Sequence, residues 1–234
     1  NGPSYAWVVQ EGKENDESVF YVEDIDSAVL KTDDPCGRFY FKGENVSEVL
    51  RGSDEENEKV KTFQGVDGIP VLGWEDHYLD FAHLNLARNM MSHEYYRSYI
   101  SFIEAELAVI QDLGYDIDRR NFFGRSIYSD DNGTAGNPLK NIRGYFARNE
   151  AGTAYEVGRE NTATLGIGLH VYGSRNNILQ TDEGKGDGSA DLLACGPGGA
   201  GIRIDGVRNT VTVDKDVTVS ADGENGRGVL VAYG

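Results

Sequence analysis

The 234-residue sequence has few cysteines, few prolines and no long apolar run. Two cysteines, Cys36 and Cys195, are too few for a disulfide scaffold, and their spacing leaves open whether they pair. Five prolines against 30 glycines, without a long block of charge, exclude a collagen-like or disordered chain and indicate a turn-rich fold. No apolar stretch approaches the roughly 20 residues of a membrane-spanning helix, so we expect no membrane insertion by this segment.

Basic residues are also scarce. The chain carries 22 Lys and Arg against 39 Asp and Glu, which gives a net charge of -17. Nucleic-acid phosphates and anionic membrane surfaces are bound by clustered Lys and Arg, so this balance argues against both as partners. The acidic runs EGKENDE (11–17) and SDEENEK (53–59) are interpreted as solvated loops that keep the protein soluble.

Neither end of the sequence has the features of a complete secreted protein. The start, NGPSYAWVV, has no initiator Met, no basic stretch and no apolar signal segment. We therefore expect a piece cut from a longer polypeptide. Residues that complete a site are then to be sought outside this chain.

The first part of the chain, residues 1–120, is predicted to be a mixed α+β subdomain with one main helix. YAWVV (5–9) and RFYFKG (38–43) are typical of short strands. The helix is predicted over about 102–113, with a stripe of apolar residues on one face that must be buried. Its predicted start is a capping box formed by Ser101 and Glu104, and its predicted C-terminal cap is Gly114.

The second part, residues 121–234, contains an internal repeat. GIGLHVYGSRNNI (166–178) and GAGIRIDGVRNTV (199–211) align without a gap, and GRGVLVAYG restarts the pattern at residue 226. The repeated polar and glycine positions match pairwise: Gly168 with Gly201, Gly173 with Gly206, and Asn176 with Asn209. A shared pattern of this kind indicates stacked structural repeats rather than unrelated strands.

The repeat predicts the first rungs of a right-handed parallel β-helix, a solenoid, truncated at its C-terminus. Alternate apolar residues point to one side of each strand, so Leu169, Ile202 and Val229 should form one inner column. The glycines are interpreted as positions that permit tight or left-handed corners. A β-sandwich is the alternative, and antiparallel pairing of these strands would favour it. Because a solenoid needs about three or more repeats and a covered end, we expect the native chain to continue.

The chemistry-bearing residues form no complete motif. The four histidines (77, 83, 93 and 170) include no H-E-x-x-H pair, and no G-x-S-x-G elbow is present. GGAGIRIDG (198–206) begins like a calcium-binding nonapeptide, but Arg203 stands where the Asp ligand is required. Read singly, each histidine is expected to have a hydrogen-bonded structural or surface role.

Two stretches together resemble a known family. HLNLARNMMSHEYYRSYISFIEAELAVIQDLGYDIDRRNFFGRSIYSD (83–130) resembles a region near the start of passenger domains in certain bacterial autotransporters. GIGLHVYGSRNNI and the sequence from residue 206 to the end look like the β-helical rungs that follow that region. The resemblance covers about residues 65–234. It implies a secreted protein displayed at the cell surface, reached through the outer membrane.

The first of these stretches also looks like the tail of a metzincin-type zinc metallopeptidase. The resemblance implies His83 as a third zinc ligand, Met91 (or Met90) as the Met of the turn beneath the metal, and Ser101 to Leu113 as the closing helix. The first two ligands and the Glu base would lie in an H-E-x-x-H helix upstream of residue 1. A catalytic zinc site needs three protein ligands, so we expect no cofactor and no hydrolysis in this fragment. Zinc would bind only in a full-length parent that supplies the other ligands.

The sequence and the resemblance indicate three alternative functions. The first is a passenger segment whose β-helix is a stalk or an adhesive surface, as in adhesins and other virulence factors, for a host or bacterial surface protein or glycan. The alternative is part of an active secreted zinc endopeptidase. Carbohydrate processing rests on fold analogy alone, since the middle rung offers only Arg203 and Asp205, with no polar groups aligned above or below.

Overall fold

A computed structural model describes the following residues: 8–10, 39–50, 68–71, 74–75, 78–79, 83–84, 86, 90–91, 102–128, 130–148 and 154–232. The chain forms two compact units, Asn1–Ile117 and Asp118–Gly234. We call them the N-terminal unit and the parallel-strand unit. Cys36, Ser101, His77 and His93 lie outside the described residues.

The N-terminal unit contains short antiparallel strands and two α-helices in its described part. The three-stranded sheet has the order β1 (Val8–Gln10), β2 (Phe39–Phe41), β3 (Ile69–Val71), and a two-stranded hairpin pairs β4 (Trp74–Glu75) with β5 (Tyr78–Leu79). The helices are α1 (Glu44–Leu50) and α2 (Glu104–Asp112), which pack against each other. The prediction of one main helix missed α1.

Helix α1 begins under the carboxylate of Asp112, the last residue of α2. Asp112 Oδ1 accepts from the backbone N–H of Asn45 at 2.9 Å, and Oδ2 accepts from that of Val46 at 3.0 Å. These donors are among the first four amides of α1, which have no partner inside the helix. A residue more than 60 positions away therefore supplies the cap of this seven-residue helix.

Helix α2 is shorter than predicted, and its predicted capping box is misplaced. Ile103 is the N-cap residue, so Glu104 is the first helical residue and not the third. Glu106 takes the third position, where its Oε2 accepts from the Ile103 N–H at 2.8 Å. The N-cap residue Ile103 is fully buried. At the other end Gly114 has φ +91°, and its N–H donates to Gln111 O at 2.9 Å, as a C-terminal cap does.

The parallel-strand unit is built from three parallel sheets. Sheet 1 has the order β6 (Phe123–Ile127), β11 (Ile167–Val171), β14 (Ala200–Ile204), β17 (Arg227–Val231). Sheet 2 has the order β7 (Leu139–Asn141), β12 (Asn177–Gln180), β15 (Thr210–Val213). Sheet 3 has the order β10 (Glu160–Asn161), β13 (Leu192–Ala194), β16 (Val219–Ala221). The chain thus visits sheets 1, 2 and 3 in turn, and then returns to sheet 1 one strand further along.

One hairpin and a short helix interrupt this order. Strands β8 (Tyr145–Arg148) and β9 (Tyr155–Gly158) pair antiparallel between β7 and β10. A 3₁₀ helix, Arg119–Asn121, leads into β6. No helix in the described residues is long and apolar enough to cross a membrane.

The register of sheet 1 confirms that Leu169, Ile202 and Val229 are aligned across parallel strands. Leu169 pairs with Ile202, and Ile202 pairs with Val229, in parallel strands. The antiparallel sandwich is therefore excluded for these strands. Leu169 and Ile202 belong to a buried cluster with Val171, Ile178 and Leu192, which draws on all three sheets.

The repeated glycines serve close approach and not left-handed corners. Gly168 and Gly201 lie inside strands, and a Cβ on Gly168 would meet Gly201 O at 2.6 Å and Leu192 Cδ2 at 2.6 Å. Neither they nor Gly173 and Gly206 are among the described residues with positive φ. One set of left-handed corners falls on non-glycine residues one position before the repeated asparagines: Arg175 (φ 60°), Arg208 (φ 58°) and, before a third asparagine, Asp131 (φ 61°).

Candidate functional site

The structure brings the Met90–Met91 segment next to the residue that follows His83. Residues 90 and 91 form a turn, and Leu84 N–H donates to Met91 O at 3.1 Å. The turn is held by Glu106 of α2, whose Oε1 accepts from the Met91 N–H at 2.7 Å. Glu106 is fully buried, so its carboxylate fixes both the turn and the start of α2.

The zinc ligand role of His83 stays a prediction. His83 is half-buried, Met91 is half-buried, and Met90 is 53% exposed. Among the described residues no group of three or more His, Cys, Asp or Glu side chains is placed to hold a metal ion. The described residues alone therefore do not supply a three-ligand zinc site.

A cluster of buried polar residues lies on the outer side of sheet 1. His170 in β11 pairs in register with Arg203 in β14, and Asp205 follows the end of β14. His170 Nε2 lies 2.5 Å from Asp205 Oδ2. Arg203 Nη2 donates to Asp205 Oδ1 at 3.0 Å, and Arg203 Nε lies 2.7 Å from Oδ2. The carboxylate thus ties a histidine of one strand to an arginine of the next.

This cluster corrects one expectation. Arg203 was expected to have no polar groups aligned with it in the neighbouring rungs, yet His170 is its register partner, and Ser126 in β6 is the register partner of His170. All four polar side chains are buried: His170 0%, Arg203 1%, Asp205 1% and Ser126 4% exposed. The signal was available in the repeat alignment, which pairs His170 with Arg203.

Aromatic rings surround His170. The ring centroids of Phe123, Tyr128 and Tyr172 lie 6.4, 6.3 and 6.0 Å from that of His170. Phe123 is stacked, and the two tyrosines approach edge-on. An apolar frame of this kind removes water from the imidazole and disfavours its charged form.

The protonation states of His170 and Asp205 follow from their burial and from their contacts with each other and with Arg203. Burial lowers the pKa of His170 below its ordinary value, and the hydrogen bond with Asp205 only partly offsets this. Burial alone would raise the pKa of Asp205, but the contacts with His170 and Arg203 outweigh burial and hold it below its ordinary value. His170 is therefore neutral and Asp205 ionised. Because a carboxylate only accepts, the imidazole proton is on Nε2 and Nδ1 carries the lone pair.

His170 Nδ1 and Ser126 Oγ are buried and have no hydrogen-bond partner in the described part of the chain. Ser126, His170 and Asp205 are the residue types of a nucleophilic relay. Two requirements of such a relay are not met, since Ser126 and His170 are not hydrogen-bonded and all three side chains are closed to a substrate. The cluster acts as a buried tie between strands.

A ladder of asparagines joins successive strands at the corner after sheet 1. Asn176 N and Nδ2 donate to Asn209 Oδ1 at 2.9 and 3.1 Å, and Asn209 Nδ2 donates to Gly173 O at 2.8 Å. Asn132 extends the ladder, since its N–H donates to Asn176 Oδ1 at 2.9 Å. The prediction included Asn176 and Asn209 but missed Asn132.

Asn132 belongs to a further rung that the sequence already encodes. Gly124 and Asn132 have the same eight-residue spacing as Gly168 and Asn176, and a Cβ on Gly124 would meet Gly144 O at 2.8 Å. Arg125 hid this rung, because it stands where the other rungs have the apolar residues Leu169 and Ile202. The spacing from glycine to asparagine is the signal that finds it.

Cys195 is a half-buried free thiol. The other cysteine, Cys36, lies outside the described residues. Burial raises the pKa of the Cys195 thiol, and its contact with Asp222 raises it further. A thiol of raised pKa is a poor nucleophile at neutral pH.

Comparisons with protein-family models, with curated protein sequences and with solved structures found no match to this chain.

Proposed function

We propose that this chain is a segment of a secreted passenger protein of the autotransporter kind, displayed at the cell surface. Residues 121–234 would begin a right-handed β-helical solenoid that serves as a stalk or an adhesive surface. Residues 1–120 would form a metzincin-like module that is catalytically inactive in this segment. The partner would be a surface protein or glycan of a host or another bacterium.

The observation that supports this proposal is the in-register stacking of three parallel sheets. The column Leu169, Ile202, Val229 and the asparagine ladder both run across successive strands of the same kind. In repeat proteins, repeats that stack on their neighbours extend a rigid body in one direction. A body that lengthens by the addition of strands suits a stalk better than a catalytic pocket.

The buried state of the polar cluster favours the stalk over an enzyme. The His170, Asp205 and Arg203 side chains are closed to substrate and serve to link β11 with β14. Carbohydrate processing would need acidic or basic groups on an exposed face of the strands, and this cluster does not supply them.

Zinc binding and proteolysis distinguish the stalk from the alternative, a zinc endopeptidase. A longer chain that restores the segment upstream of Asn1 is titrated with zinc by calorimetry and incubated with an unfolded protein substrate, beside its His83→Ala variant. The stalk proposal predicts no stoichiometric zinc site and no cleavage by either protein. One zinc per chain, lost in His83→Ala, together with cleavage would overturn the proposal and favour the peptidase.

Adhesion is tested by immobilising the folded chain and measuring its binding to a panel of cell-surface glycans and matrix proteins. The control is the same chain unfolded in urea and then washed into buffer just before the assay. Retention of one ligand class by the folded chain alone supports the adhesive role. Absence of any retained ligand reduces the proposal to a stalk.

A further inference from the structure

Two buried polar side chains lie side by side on sheet 1. His170 in β11 and Ser126 in β6 are register partners, so their side chains leave neighbouring parallel strands on the same face. They are 0% and 4% exposed, and His170 Nδ1 and Ser126 Oγ have no hydrogen-bond partner in the part of the chain that the structure describes. Native proteins rarely leave two buried polar atoms unsatisfied at one place, so the pair points to a bound partner.

The hydrogen-bonding character of the two atoms defines what that partner must do. Because Nε2 of His170 holds the imidazole proton against ionised Asp205, Nδ1 has a lone pair and can only accept. The hydroxyl of Ser126 both donates and accepts. One molecule that donates to Nδ1 and bonds to Oγ would therefore satisfy both atoms.

The spacing of the strands fits a single bridging molecule. Neighbouring strands lie about 4.8 Å apart, which is more than the roughly 2.8 Å of a direct hydrogen bond. A water molecule about 2.8 Å from each of two atoms separates them by about 4.6 Å when the angle at the water is tetrahedral. Side chains that leave register partners in parallel can thus be joined by one water where a direct bond does not reach.

Charge favours a neutral molecule at this position. The charged groups that act on His170 are Asp205 and Arg203, which bind each other and balance in charge. A cation beside Nδ1 would have no counter-charge, and one histidine with one serine supplies too few ligands for a metal ion. The imidazole also lies fully buried among three aromatic rings, which suits a very small ligand.

We propose that one buried water molecule is bound between His170 Nδ1 and Ser126 Oγ as a permanent part of the fold. The water donates to Nδ1 and accepts from the Ser126 hydroxyl, so it has the two polar partners that a buried water requires. A continuous polar chain then runs from Ser126 in β6 through the water and His170 in β11 to Asp205 after β14. This site ties three successive rungs together, and it does not depend on the proposed function.

Nuclear magnetic resonance tests for the water in the native chain. A water held between the strands should give a cross-relaxation contact with the Hε1 proton of His170, with the sign that a rigidly bound molecule produces. His170→Gln identifies this contact by its loss. Ser126→Val replaces the hydroxyl with one methyl group and fills the space beside it with another, so the contact should disappear. The matched control is Ser220→Val, at an exposed position of β16, which should keep the contact.

High-resolution diffraction from crystals of the native chain locates the water itself and needs no variant. The expected result is a density peak within hydrogen-bonding distance of both His170 Nδ1 and Ser126 Oγ. A Ser126 hydroxyl bonded directly to Nδ1, with no such peak, would overturn the proposal. A native chain without the contact at Hε1, or a contact that survives in folded Ser126→Val, would overturn it as well.

Discussion

Substitution of the middle asparagine of the ladder, Asn176→Ala, should destabilise the parallel-strand unit. Asn176 is 1% exposed. The substitution removes the acceptor of the Asn132 N–H, at 2.9 Å, and one donor to Asn209 Oδ1, at 3.1 Å. The Asn176 backbone N–H keeps its bond to Asn209 Oδ1, so the corner retains one of its ladder contacts.

The magnitude follows from these two losses. A buried donor left without a partner costs about 1 to 3 kcal/mol, and an ordinary lost hydrogen bond costs about 0.5 to 1.5 kcal/mol. The Asn132 amide is only partly buried, which places the first loss in the lower half of its range. We therefore expect the free energy of unfolding to fall by about 2 to 3 kcal/mol.

Urea unfolding followed by far-UV circular dichroism measures this change. Asn177→Ala is the matched control, since Asn177 is the next residue and only half-buried. It should change stability by less than about 0.5 kcal/mol. Hydrogen exchange should also accelerate at the Asn132 amide in Asn176→Ala and not in Asn177→Ala. Equal urea midpoints for the two variants would refute the ladder as a stabilising contact.

Three further predictions follow from single contacts. His170→Gln keeps a donor near Asp205 but removes the titration. Burial lowers the folded-state pKa of His170, so the native chain should lose stability as pH falls below about 6.5, by at most about 1.4 kcal/mol per pH unit. The variant should lose less stability over the same range. Identical stability profiles against pH for the two proteins would show that His170 does not cause the loss. Gly206→Ala places a methyl group against Gly173 O and 2.9 Å from Asn209 Nδ2, and should lower the free energy of unfolding by about 1 to 3 kcal/mol. The control Gly136→Ala, whose methyl group meets nothing within 4 Å, should leave the free energy of unfolding unchanged. Equal urea midpoints for the two variants would exclude close packing at Gly206. Glu106→Gln leaves a single side-chain oxygen for the Met91 and Ile103 amides and should lower the free energy of unfolding by about 1 to 3 kcal/mol. Thermal unfolding beside the exposed control Glu156→Gln measures this change. Equal midpoint temperatures for the two variants would contradict the role of Glu106 as acceptor for both amides.

The elements that the sequence predicted are those with a local pattern. The apolar period placed α2 within two residues of its observed start, and the repeat placed β11, β14 and β17 in the correct parallel register. Both patterns depend on neighbours within one helix or on matched positions between repeats. A reading of one chain can therefore find them.

The elements that the sequence missed depend on distant contacts. Helix α1 is only seven residues long and takes its cap from Asp112, so no local signal marks its start. The helix start at Glu104 depends on Glu106, which also binds the Met91 amide. Such contacts are decided by tertiary packing rather than by residues three or four positions apart.

The candidate polar cluster lies between these two cases. His170 and Asp205 are 35 positions apart and meet only because β11 and β14 stack in register. The repeat alignment already paired His170 with Arg203, so the contact was predictable once the strands were stacked. The burial of His170 was not predictable, because the aromatic rings around it come from two neighbouring rungs.

Cysteine cross-linking between β12 and β15 tests the stacking of successive rungs most directly. In a chain with Cys36→Ala and Cys195→Ala, parallel register pairs Asn177 with Thr210 and Leu179 with Thr212. Adjacent strands are about 4.8 Å apart, which is within disulfide range, whereas the swapped pairs lie about 8 Å apart. The account predicts rapid disulfide formation in the doubly substituted chains Asn177→Cys with Thr210→Cys and Leu179→Cys with Thr212→Cys. Formation instead in the swapped pairs, Asn177→Cys with Thr212→Cys and Leu179→Cys with Thr210→Cys, would contradict it.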